Sequence, residues 1–480
     1  MENLPSPLVV EILRRLTDTS DLARCRVVSN TLNEASYEIR SLTLVCSMSR
    51  YLKSRSPETK HLITPFKTVL KNLVLRSPNL ESVSLGVDRS LGGISFDDVE
   101  DESDDLHLTD FNFIQDWLPS LSKSIKSLSV SDFWVQSCWR RSQALSLISS
   151  TSAIAANIMA LKSSCGSRCS GVMICGHGLV QLVVRNAWLA VDGLCLMPTL
   201  THLTLEFVRL DDEDLNMLNT CFPNLIQLNL IGVGGLKEPK INLPHLRTCQ
   251  WSVSNAPLSL NISAPSLVDL HLKCIKPRLL FLEAPSLSNF ILSLENTDEL
   301  VLKNCGNIQC LQLEVECFSL GYILSMFSRC VAVERLSLDF VRKTQRVVEV
   351  GVDHVREFGL DMLLNYFPNI RYLSLGSGAW RVMESSFCRG SLENRIETKT
   401  LKELVAHIVV LEIEFTLAFI FSVLDKCTQL GDVSLLIHSD VDPCVAGNLI
   451  SACRTKFPGV RWRWGIWKEG IKDTWVSDGN

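Results

Sequence analysis

Pro198–Leu230, PTLTHLTLEFVRLDDEDLNMLNTCFPNLIQLNL, carries one apolar pattern twice. Leu200-Leu203-Leu205 and Leu225-Leu228-Leu230 both follow L-x-x-L-x-L, each opening two residues after a proline, Pro198 or Pro223. The fourth and sixth positions share one side of an extended strand, and the residue between them faces the other way. Working outward, further copies open at Leu80, Ile125, Leu179, Leu246, Leu267, Leu287, Ile308, Val333, Ile370, Leu401 and Leu430. From Leu179 to Ile308 the openings step by 21, 25, 21, 21, 20 and 21 residues, too regular for chance. No copy can bury its leucines alone, so the array must fold by stacking. Proline stands two residues before the opening in seven copies, where its fixed φ and missing N–H suit a turn entering a strand.

The chain has 480 residues, 46% of them apolar, enough for a large core and too many for a disordered chain. Its net charge is −5, which argues against a general nucleic-acid binder. The 18 cysteines are scattered singly, and the start MENLPSPLVV has no basic n-region or cleavage site. Reduced thiols and a cytoplasmic or nuclear location are the expectation. Leu404–Leu424 is long and apolar, but His407, Glu412 and Glu414 oppose a membrane span. It reads as a buried strand followed by a core helix.

Ahead of the array lies Leu4–Arg40, LPSPLVVEILRRLTDTSDLARCRVVSNTLNEASYEIR. Leu8, Val9, Ile12, Leu13 and Leu16 are spaced for one helix face after Pro5 and Pro7, and Asp18, Thr19 and Ser20 offer caps to a second helix. Val28, Leu32, Ala35 and Ile39 mark a third. Leu4-Pro5, Leu8, Glu11-Ile12-Leu13, Leu16, Asp21-Leu22, Arg24-Cys25-Arg26 and Val28-Ser29 resemble the F-box, a short three-helix motif. The resemblance implies docking onto a Skp-type adaptor and through it a cullin. The adaptor-binding residues it implies are Leu4, Pro5, Leu8, Ile12, Leu13, Leu16, Leu22, Val28 and Leu32. Leu32 stands where the family usually has Trp, and Pro7 where Glu is common; the smaller Leu32 implies weaker docking.

The period resembles that of leucine-rich repeats, in the degenerate form of plant F-box proteins. The ninth position, usually Asn or Cys, is neither in any of the thirteen copies, so the loop backbone must be satisfied otherwise. The expected fold is α/β: a leucine-rich-repeat solenoid with parallel β on its concave face, preceded by a small three-helix F-box. Its expected parts are an F-box at 1–40, the solenoid at 41–440 and a helix-strand cap and tail at 441–480. Insertions fall near 89–117, 138–177 and 377–400. The first holds a dense acidic run, Asp97 to Asp105, read as a solvated loop. The second, Gln143–Ser164, has helical composition and is placed on the convex side or the array's edge. The third, with Trp380 and Arg381, is a candidate recognition loop. Pro443–Lys456 reads as a helix and VRWRWGIW as a capping strand, with an aromatic partner platform as the alternative.

Cys165, Cys169, Cys175 and His177, with Cys138, match no common zinc spacing, and no metal site is expected. No Walker loop, G-x-G-x-x-G after a strand or G-x-S-x-G appears, so no catalytic residue and no cofactor are assigned. The candidate target-binding residues are the outward ones on the strands: His202, Glu206, Gln227, Asn229, Gln250, Asp269, His271, Lys273 and Glu314, joined by Trp380 and Arg381. That row is polar and mixed in sign, suited to a protein target and not to a phosphate-rich ligand. The sequence therefore reads as a non-enzymatic, substrate-recognising subunit of an SCF-type (Skp-cullin-F-box) ubiquitin ligase. An interaction scaffold without ligase function, or a hormone co-receptor in the same complex, are the alternatives. The substrate is not legible.

Overall fold

The computed structural model describes residues 4–15, 19–88, 91, 104–108, 111–121, 123–132, 144–147, 171–174, 178–186, 188–190, 196–253, 257–274, 277–294, 297–315, 324–340, 359–388 and 399–476. The chain divides into two compact units, Met1–Asn255 and Ala256–Asn480.

The first unit opens with three helices, α1 (Ser6–Arg14), α2 (Thr19–Val28) and α3 (Asn30–Ala35). Both α1 and α2 pack on α3. None is long enough to persist alone in water, so each depends on the shared interior. That interior is Val9, Val10, Leu13, Leu22, Leu32, Ala35 and Ile39. Arg26 fastens α2 to the end of α3: its Nε donates to Ser36 Oγ at 2.6 Å, and its guanidinium lies 4.8 Å from the Tyr37 ring centre. Ser36 is itself buried and donates to the Asn33 carbonyl.

Seven parallel strands follow: Ser41–Cys46, Ser82–Val87, Ser127–Ser131, Gln181–Arg185, His202–Glu206, Gln227–Val233 and Thr248–Val253. The pairing register is the sequence template. Val83, Leu128, Leu182, Leu203, Leu228 and Cys249 align in one buried row, and Leu85, Val130, Val184, Leu205, Leu230 and Trp251 in the next. In the second unit Asp269–Cys274, Asn289–Leu294, Cys310–Val315, Arg335–Phe340, Tyr372–Leu375, Glu403–Ile408, Asp432–His438 and Arg461–Lys468 pair the same way. This is a leucine-rich-repeat solenoid, and its apolar rows are continuous within each unit.

Repeat length decides what covers the other side. The 25-residue step from Leu200 has room for the helix Asp212–Cys221, started by a capping box between Asp211 and Asp214. The 20- and 21-residue steps after Leu246 carry short strands instead: Ser259–Ser263, Leu279–Glu283 and Glu299–Lys303, paired in parallel as a second sheet. A strand advances about 3.3 Å per residue against about 1.5 Å for a helix, so only a strand crosses the layer within so few residues.

The loop carbonyls find a partner one residue before the template opening. Asn224, Asn307 and Asn369 donate side-chain N–H to the carbonyls of Pro198, Pro285 and Val331, at 2.8 to 2.9 Å. Thr199 and Thr400 hydroxyls do the same toward Leu179 and Pro368. This repeated bond ties the turn entering one strand to the turn entering the next.

Several sequence expectations need correction. The acidic run is not all solvated: Asp104 accepts from Tyr51 and Arg55 at 3.1 and 3.0 Å, and buried Asp105 accepts from the Phe66 and Lys67 amides at 2.6 and 3.0 Å. The helix Phe66–Leu75 begins after Pro65, which offers no capping side chain, so a distant carboxylate caps it. The stretch expected as insertion to residue 117 includes part of the helix Phe111–Leu121, whose Phe113, Ile114, Trp117 and Leu118 are buried. In the second insertion Ala144–Leu147 is a strand, between Gly171–Ile174 and Trp188–Ala190, despite its helical composition. Cys138, Cys165, Cys169, Cys175 and His177 lie outside the described residues, as do residues 92–103. The third insertion begins as the helix Ser377–Cys388, with Trp380 buried edge-on against Phe419 at 4.8 Å.

Leu404–Leu424 contains most of the strand Glu403–Ile408 and of the helix Ile413–Lys426, and among the described residues no helix is long and apolar enough to cross a membrane. The helix Pro443–Lys456 and the strand Arg461–Lys468 follow, with Trp462, Trp464 and Trp467 buried and the first two stacked at 5.4 Å. Ile471–Val476 then pairs antiparallel with Arg461–Lys468, so the parallel ladder stops there.

Leu128→Ala opens a cavity in a buried row and should cost about 2–5 kcal/mol in denaturant unfolding. Its outward neighbour Ser129→Ala should stay within about 0.5 kcal/mol.

Candidate functional site

Two surfaces are built from the residues the sequence singles out. The first is the open side of the three-helix module. On α1, Val9, Val10 and Leu13 turn inward, whereas Leu8 is 53% and Ile12 42% exposed. Leu8 and Ile12 are four residues apart and so stand one above the other, with exposed Leu4 and Pro5 leading into the same helix. On α2, Val27 and Val28 are 88% and 78% exposed. Together these side chains form an exposed apolar patch on the module.

Leu13, Leu22 and Leu32 are expected at the docking surface, yet all three are buried inside the module. Their spacing shows that they lie on an apolar face but not which face turns inward. Leu32 in the usual Trp position thus affects packing between α3 and its neighbours. Leu16 lies outside the described residues. Val27 was missed because it breaks the helical spacing; its signal is the Val27-Val28 doublet at the helix end.

The second surface is the outward side of the strands. In the first unit His202, Glu206, Gln227, Asn229 and Gln250 come from neighbouring strands and are all partly exposed. They are cross-linked sideways. Asn229 donates to Thr204 Oγ1 at 3.1 Å, and Arg185 forms a salt bridge with Glu206. Arg185 was not among the expected residues, although it holds the seventh template position next to Glu206's. In the second unit Asp269, His271 and Lys273 share one strand, and Asn289 donates to Asp269 at 2.5 Å. Glu314 lies further along the sheet, on Cys310–Val315, one strand before Asp339.

The second unit adds groups that sequence reading passed over. Arg335 lies 4.0 Å above the Tyr372 ring centre, both at the third template position. Asp432 pairs with Arg461 at 2.7 Å. Asp339 sits at the start of the helix Ser377–Cys388, accepting from Gly378 N–H at 3.3 Å. A Cβ at 376 would meet Asp339 Cγ at 2.0 Å, so any side chain there would displace the carboxylate. Trp380, expected on a recognition loop, is core instead, and Arg381 on the same helix stands near Glu384. Burial pushes the thiols of Cys249, Cys330, Cys427 and Cys453 up to about 12, so these four stay protonated at neutral pH.

The fold is a solenoid with polar, cross-linked outward rows, preceded in the chain by a three-helix module with one open apolar side. No family model matches the chain. An F-box/LRR-repeat protein of Arabidopsis thaliana is 44% identical over 482 residues, covering 99% of this chain and 100% of that protein. The chain belongs to the F-box/LRR-repeat family.

Burial, with Glu314 nearby, raises the Asp339 pKa above 3.8, against two backbone hydrogen bonds that lower it. A carboxyl whose folded-state pKa is raised favours the folded protein below its ordinary value and loses that contribution as pH rises through the folded-state value. Asp339→Asn should therefore flatten the fall in melting temperature with pH that begins near 4 and continues upward. Melting curves at closely spaced pH values check this.

Proposed function

We propose that this chain is the substrate-recognition subunit of an SCF-type ubiquitin ligase. The observation that carries the proposal is the split of α1, with Val9, Val10 and Leu13 buried and Leu8 and Ile12 open. A helix already anchored on one side has a second apolar side only if something else covers it. A Skp-type adaptor fits that role, and a cullin joins through it. The outward rows on the strands take a protein target through mixed charge and amide groups. F-box/LRR proteins are generally non-catalytic, and the contribution of this chain is proximity between target and ubiquitin-charged enzyme. The cytoplasm or nucleus is the proposed location.

Burying one leucine-sized side chain is worth about 1.5–3 kcal/mol, and about 1.4 kcal/mol is tenfold in affinity. Leu8→Asp with Ile12→Asp should therefore lower affinity for a purified Skp-type adaptor by well over tenfold, while circular dichroism and melting temperature stay near those of the parent chain. Leu13→Asp should unfold the module instead. Undiminished adaptor capture by the exposed pair would refute the proposal.

A second outcome concerns the strands. Lys273→Glu with His271→Ala, on one strand, should reduce capture of protein targets when the proteasome is blocked, with adaptor binding intact. Longer target half-lives in cells lacking the chain would separate a ligase subunit from a passive scaffold.

A further inference from the structure

A cleft of about 770 Å³ opens between α1 and the first repeats, within the first unit. Ser6 and Pro7 line it from α1, Glu38 from the turn after α3, and Arg40, Glu81, Lys123 and Lys126 from the segments that lead into the first three strands. Arg40, Glu81 and Lys126 each immediately precede one of the first three strands, which pair in register, so they form a ladder of alternating charge along the strand entries. Arg40 reaches Glu81 at 3.3 Å and Lys126 reaches it at 2.8 Å. Glu81 thus holds two cations at the cleft. Lys123, a third, is exposed and has no ion pair among the described residues. The lining carries three cations against two carboxylates, and it includes an exposed hydroxyl, Ser6, followed by proline.

We infer that Ser6 is a phosphorylation site whose phosphate seats in this cleft. The chain has four Ser/Thr-Pro pairs, at Ser6, Ser56, Thr64 and Ser77, and Ser77 is buried. Ser6 is the one that lines this cleft, which holds one cation more than carboxylates. The modifying agent is a separate proline-directed protein kinase with a nucleoside triphosphate. Ser6 Oγ attacks the terminal phosphorus and a new O–P bond forms. The bond from that phosphorus to the bridging oxygen breaks, nucleoside diphosphate leaves, and the hydroxyl proton passes to the kinase's base. The product adds nearly two negative charges and three acceptor oxygens, enough for one to three charge-assisted hydrogen bonds. Lys123 is the first partner, and Arg40 and Lys126 are shared with Glu81. The phosphate ties the start of α1 to the strand entries. Because Leu8 is two residues from Ser6, it also sets how the open side of α1 is held against the repeats. The seat itself is independent of the adaptor reading; only this consequence rests on it.

The test uses the full chain. Incubation with a proline-directed kinase, followed by mass-spectrometric mapping, should show phosphate on Ser6 and none on Ser77. The phosphorus resonance of phosphoserine at position 6 should then titrate at least half a pH unit below that of a free phosphoserine peptide. The chain should also melt at a higher temperature than its unmodified form. Both shifts should shrink in Lys123→Ala and in Arg40→Ala with Lys126→Ala, which leave Leu8 and Ile12 untouched. An unmodified Ser6 would overturn the inference. So would a phosphate that titrates as a free peptide's in the parent chain, or one indifferent to all three cations. Adaptor capture by the unphosphorylated chain is measured separately, so failure here leaves the ligase reading standing.

Discussion

Each strand of this protein carries two inward apolar side chains that it cannot bury by itself. Leu203 and Leu205 are covered only because Leu182 and Val184 stand in register on one side and Leu228 and Leu230 on the other. A slip of one residue in any pair would turn that strand's leucines outward and its polar residues inward. The register is thus held by burial, and everything on the outward face is a consequence of it. His202, Gln227 and Thr248 share a row because their inward neighbours do. The polar cross-links, such as Asn229 to Thr204, decorate a geometry already set by the apolar side.

The same logic explains where the array departs from regular repeats. Carbonyls at the turns that enter the strands are met by Asn224, Asn307 and Asn369 just before the next openings. Short repeats use strands where a longer one fits a helix. At the carboxyl end, where the parallel ladder stops, Trp462, Trp464 and Trp467 supply large buried surfaces, and an antiparallel strand follows. Each device answers a local demand of chain length or hydrogen bonding, so the sheet tolerates an irregular sequence.

The exposed apolar side of the helical module and the outward rows of each unit are both set by burial beneath them. The three-helix module has a small interior, and Arg26, Ser36 and Tyr37 lock two of its helices together. That leaves Leu8 and Ile12 on an anchored helix but uncovered; under the proposed function, they would dock without rearrangement. The outward rows are preorganised in the same way, since ion pairs and amide bonds run from strand to strand. Preorganisation of this kind lowers the ordering cost of binding.

The repeat template, its register and the helix Pro443–Lys456 were legible in the sequence, because the period of apolar residues is a direct record of burial. The three helices of the F-box were legible for the same reason, and 44% identity to a family member agrees with that reading. Which apolar residues of those helices face inward was not legible. Leu8 and Leu13 look alike in the sequence, and only the packing of α1 on α3 separates the open one from the buried one. Trp380 and Asp105 show the same limit. A tryptophan in a long insertion looks like a recognition residue and an aspartate in an acidic run looks solvated, yet one packs on Phe419 and the other caps a helix 39 residues away. Periodicity within a segment is written in that segment alone. The fate of a single side chain depends on what the rest of the chain brings beside it, and that is decided only in three dimensions.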